Sequence, residues 1–98
     1  MAPHVCPVCG YGGLKRAAYD LPPSDRLASG SYEICESCGF QFGVTDDDRH
    51  KSFAQWRAQW VSRGMRWAGT KPRPVGWDPH MQLSRVNNAL ERFAVWNE

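Results

Sequence analysis

Two short frames of the same build constrain this chain more than anything else in it: Cys6-Pro7-Val8-Cys9-Gly10 and Cys35-Glu36-Ser37-Cys38-Gly39. They hold all 4 cysteines of the 98 residues. Each frame puts two thiols on one tight turn. A turn that aims backbone N–H groups back at sulfur asks for positive φ just past the second cysteine, and glycine adopts that conformation cheaply. C-x2-C repeated in this way is a metal-site spacing. Four thiolates at tetrahedral corners form the shell that Zn2+ takes in structural sites. Cys6, Cys9, Cys35 and Cys38 are therefore the expected ligands of one structural Zn2+ per chain. Rubredoxin-like iron is a less favoured alternative, because Cys9-Gly10-Tyr11 and Cys38-Gly39-Phe40 also fit the Cys-Gly-aromatic frame of that electron carrier.

A chain of 98 residues reads as one domain. Short chains bury little apolar surface, and a structural zinc can contribute roughly 10 kcal/mol or more to folding. No apolar run approaches the ~18 residues of a membrane helix. Met1-Ala2-Pro3-His4-Val5 lacks the charged start and apolar middle of a secretory leader. The expected compartment is a reducing cytoplasm, where paired C-x2-C frames hold metal rather than disulfides.

Alternating residues on either side of the second knuckle (Tyr32 and Ile34, then Phe40 and Phe42) predict short antiparallel strands, with another over Leu14 to Tyr19. Residues 1–44 thus read as a zinc ribbon. Thr45 and Asp48 stand at capping-box spacing and Gly64 at a stop, so a helix is expected over 45–64. Phe53, Trp56, Trp60 and Val61 form its apolar stripe. A basic connector over 65–77 contains Lys71-Pro72-Arg73-Pro74. Asp78-Pro79 then pairs an N-cap with proline at the first helical position. A C-terminal helix is expected over 78–97, striped by Leu83, Val86, Leu90 and Phe93. The fold class is small α+β: a four-cysteine zinc ribbon or knuckle with short antiparallel strands, followed by two packed α-helices.

Cys6-Pro7-Val8-Cys9-Gly10-Tyr11 and Gly30-Ser31-Tyr32-Glu33-Ile34-Cys35, with the acidic stretch Asp46 to Asp48, resemble the small bacterial cysteine-rich proteins of the CPCC type. The resemblance covers about residues 5–50. It departs at Val8, where the name-giving motif carries a third cysteine, and at Gly39, where many relatives carry an aromatic. It implies a metal-bearing small protein without a settled activity, and the absent cysteine weakens a redox role.

The remaining residues argue against catalysis. A zinc enzyme keeps a ligand position open, whereas four cysteines fill the shell. No nucleophile motif, phosphate loop or zinc-protease signature is present. His4, His50 and His80 read as surface or capping residues, and Asp46, Asp47 and Asp48 as helix-start acids. No small-molecule substrate is expected.

Charge is distributed unevenly. Residues 1–48 hold three cations against seven acids, a net of −4, whereas residues 49–77 hold seven cations and no acid. Trp56 and Trp60 read as core. Trp67 and Trp77 bracket the basic connector, and tryptophan with arginine is enriched at interface hot spots. The expected contact surface is Arg63, Arg66, Trp67, Lys71, Arg73 and Trp77, with a protein partner favoured. A nucleic-acid-binding zinc ribbon is the alternative, disfavoured by an overall charge of only +2.

Overall fold

The structure, a computed structural model, describes residues 4–23, 25 and 27–86. Its first half is organised by the two knuckles, which close through matching backbone hydrogen bonds. The N–H of each leading cysteine donates to the carbonyl five residues on, Cys6 to Tyr11 at 2.8 Å and Cys35 to Phe40 at 2.9 Å. The glycine N–H then donates back to the leading cysteine, Gly10 to Cys6 at 2.9 Å and Gly39 to Cys35 at 2.8 Å. Gly10 and Gly39 take φ of +87° and +83°, as this turn requires.

The expected strands contract, among the described residues, to three isolated antiparallel bridges: His4 with Leu14, Tyr19 with Gly30, and Ile34 with Gln41. The ribbon reading is corrected accordingly. Tyr32 shows one reason: its φ of +64° lies outside the extended region and breaks the run from Ser31 to Ile34. Side chains also take over work that a sheet ladder would do. The Glu33 carboxylate accepts from the backbone N–H of Lys15 (2.9 Å) and Arg16 (3.1 Å), tying the two knuckle segments together.

The first helix, α1, spans Phe53–Ser62 and starts later than the pattern predicts. Ser52, not Thr45, is its N-cap, in a full capping box with Gln55. The residues before it are committed elsewhere. Thr45 Oγ1 accepts from Gln41 N–H at 3.1 Å. Asp46 is fully buried, accepting from Gly43 N–H at 2.7 Å and from the Tyr19 hydroxyl. His50 at φ +55° then separates these turns from α1. The C-terminus matches expectation. Met65 N–H reaches Trp60 O and Gly64 N–H reaches Val61 O, a Schellman closure in which buried Met65 and Trp60 supply the apolar pair.

The second helix, α2, spans Pro79–Leu83, capped by Asp78 Oδ1 on the N–H groups of His80 and Met81. The chain turns at Ser84 and Arg85, so the predicted helix is not continuous. The rest of that prediction, including Leu90 and Phe93, lies outside the described residues.

The core is aromatic. Phe40, Phe42 and Phe53 are fully buried. Phe40 meets Phe53 edge-on at 5.5 Å and Trp56 at 5.9 Å, and Tyr19 joins Phe42 at 5.8 Å. Each buried ring contributes on the order of 1.5–3 kcal/mol, so this cluster holds α1 against the second knuckle. Val61 lies off the buried face, exposed rather than part of the stripe.

Gly30 lets two backbone segments meet: a Cβ there would fall 2.3 Å from the Phe42 carbonyl carbon. Gly30→Ala should lower stability by about 1–3 kcal/mol, whereas Gly12→Ala, with nothing within 4 Å, should be near neutral. Thermal unfolding of the two variants checks the contrast.

Candidate metal centre

The knuckles bring their sulfurs together crosswise. Cys6 Sγ lies 3.9 Å from Cys38 Sγ, and Cys9 Sγ lies 3.7 Å from Cys35 Sγ. All four sulfurs fall within 4.8 Å of one another, and all four residues are buried. A disulfide needs about 2.05 Å, so these are thiols. A tetrahedral shell with metal–sulfur bonds of about 2.3 Å has edges of about 3.8 Å. The four cysteines are thus placed to hold one metal ion.

Electrostatics point the same way. Burial pushes the Cys6 and Cys38 thiols up from their ordinary range. Burial acts in the same direction on Cys9, but hydrogen bonds from the Cys35, Cys38 and Cys6 side chains and the Tyr11 N–H outweigh it and pull Cys9 down. A divalent cation at their centre would stabilise the thiolate form of all four by direct coordination.

Residues 56–82 are built onto the backs of the knuckles. Each knuckle presents three carbonyls, at the two intervening residues and the second cysteine, and residues 56–82 satisfy all six. On the first knuckle, Arg57 donates through Nε to Val8 O (2.6 Å) and through Nη2 to Pro7 O (3.1 Å). Gln82 Nε2 donates to Cys9 O (3.3 Å). On the second, Ala68 N–H donates to Glu36 O and Ser37 O, both at 3.1 Å, and Gly69 N–H to Glu36 O at 2.7 Å. Trp56 Nε1 donates to Cys38 O (2.9 Å). Trp56 and Arg57 are neighbours on α1, so one helix turn clasps both knuckles.

Gln82 joins the two knuckles directly. Besides Cys9 O, its Nε2 donates to the buried Ser37 Oγ at 2.8 Å, and its Oε1 accepts from Trp77 Nε1 at 2.8 Å. The Gln82 carbonyl also sits over Gly10, where a Cβ would lie 2.1 Å from it. Gly10 thus serves both the turn and the approach of α2.

The residues of the expected contact surface are divided among three hollows. Arg66, Trp67, Arg73 and Trp77 line one of about 610 Å³. Arg63 and Arg66 line a second, with Trp56 and Trp60. Lys71 borders a third, near Glu33 and Glu36. Trp67 packs edge-on against Tyr11 at 5.4 Å and Trp77 at 5.3 Å, and donates to Lys71 O at 2.7 Å. Both connector tryptophans are half-buried, and Arg63, Arg66, Lys71 and Arg73 are exposed. Arg57, Gln82 and Ser37 escaped the sequence reading. No spacing marks them, because their partners lie 45 to 73 residues away in the chain.

Gln82→Leu would leave the buried Ser37 hydroxyl and Cys9 carbonyl without that donor, at a cost of about 1–3 kcal/mol per unsatisfied group. Faster loss of metal to a chelator, followed with a coloured indicator, is the expected result. Ligand thiols must be deprotonated, so acidification should also release the metal.

Compared with protein-family models, with curated proteins and with solved structures, the chain matches none.

Proposed function

We propose that the chain is a non-catalytic zinc-binding module of the cytoplasm that recognises a macromolecular partner, a protein, in an adaptor, inhibitor or immunity-type role. Closure of the site carries this reading. Four cysteines complete a zinc shell, and a complete shell has no position for a water or substrate. Six hydrogen-bonded carbonyls behind them hold the metal turns in place. Such a centre stiffens a scaffold, and the CPCC-type resemblance suits it. When bound, Zn2+ supplies cross-linking of the two knuckles and no reaction step. No helix among the described residues is long and apolar enough to cross a membrane.

What such a scaffold offers a partner is its cations. Arg57 is turned inward onto the first knuckle, whereas Arg63, Arg66, Lys71 and Arg73 stand exposed beside Trp67 and Trp77. Aromatic and arginine side chains on a rigid frame are favoured contact chemistry. The same cations favour nucleic acid as the second reading, for which binding would weaken steeply with added salt.

Affinity capture from a native extract, with half the sample treated with nuclease, separates the two. Retention of the same protein in both halves supports protein recognition. Loss on nuclease treatment overturns it in favour of nucleic acid. Metal analysis of the bait should return one zinc per chain, and a red, iron-loaded protein would replace the scaffold reading with electron transfer.

A further inference from the structure

We infer that the cleft between α1 and residues 63–68 is the recognition site proper, and that it takes an acidic protein segment carrying a bulky apolar side chain. The inference deepens the protein-binding reading and rests on it. The cleft encloses about 540 Å³, within the ~300–1,000 Å³ of ligand pockets. Cys38 forms part of its lining, so a metal-pinned knuckle fixes its shape before any partner arrives.

Its chemistry is divided. Trp56 and Trp60 provide apolar wall, because both indole N–H groups are already engaged with backbone carbonyls, Cys38 O at 2.9 Å and Arg66 O at 2.9 Å. Arg63 and Arg66 line the same cleft and are exposed. Residues 49–77, which supply both arginines, contain no acid. Guanidinium groups bind carboxylates bidentately. An Asp or Glu of the partner would meet the arginines, and an adjacent Phe, Leu, Met or Trp would fill the apolar part of the cleft beside Trp56.

Nucleic acid fits the cleft less well. Base stacking needs an open ring face, and Trp60 is only 6% exposed. A polynucleotide long enough to gain affinity from phosphates would also meet the acidic half of the chain.

The test pans a random peptide display library on the zinc-loaded full chain, with a single-stranded oligonucleotide as competitor. Selected peptides should share an acid beside a bulky apolar residue and should shift the Trp56 and Trp60 indole N–H resonances. Arg63→Glu combined with Arg66→Glu should weaken them by about tenfold or more, with metal content and thermal unfolding unchanged. Both substitutions are at exposed positions. If the double variant does not keep its metal, Arg63→Gln with Arg66→Gln replaces it, with the same weakening expected. Several results would overturn the inference: peptides without an acid–apolar pairing, undiminished binding to the variants, unmoved indole resonances, or displacement by the oligonucleotide. A captured protein that is lost with Trp67→Ala or Trp77→Ala but kept with the arginine variants would remove the cleft and leave protein recognition standing. No protein captured by the unmodified chain would remove both.

Discussion

Convergence of four sulfurs is the constraint on which the remaining structure depends. Knuckles 26 positions apart, counted from Cys9 to Cys35, have no sheet to hold them together, only single bridges among the described residues. Once the sulfurs meet, the two turns present their carbonyls outward as a matched set, and residues 56–82 pack against the turns by satisfying those carbonyls. Buried carbonyls demand partners. Here the partners are a guanidinium, an indole, an amide side chain and two backbone N–H groups. The metal site and the helical half are therefore one construction, not a ribbon with an appendage.

This arrangement explains why the tryptophans are so frequent. The Nε1 groups of Trp56, Trp60, Trp67 and Trp77 each donate to a specific acceptor, three of them backbone carbonyls. An indole couples a large apolar area with one donor. With few ladder hydrogen bonds among the described residues, it both fills space and pins irregular segments. Trp67 and Trp77, which composition alone offers as free contact groups, act in this way on each other and on Tyr11. Exposed positive charge beside them is left to Arg63, Arg66, Lys71 and Arg73.

The four cysteines were legible in the sequence because their spacing encodes local geometry, and Gly10 and Gly39 declared the turn. Gly64 declared the end of α1, and Asp78-Pro79 the start of α2. What stayed hidden depends on distant partners. Thr45 through Asp48 read as a helix start, yet Asp46 is drawn into the core by Tyr19, and α1 begins after Ser52 instead. Tyr32 sits in an alternating run yet takes a left-handed backbone that no periodicity reveals. Arg57 looks like any surface cation until the knuckle carbonyls lie beneath it. Gln82 looks like a polar position on a helix until it is seen between both turns.

The most direct measurement is native mass spectrometry of the gently purified chain, paired with amide exchange before and after chelation. A metal-organised fold requires one tightly held ion per chain, and its removal should expose residues 5–11, 34–40, α1 and the segment around Gln82 together. A chain that carries no ion, or one that loses its ion while α1 stays protected, would contradict that dependence.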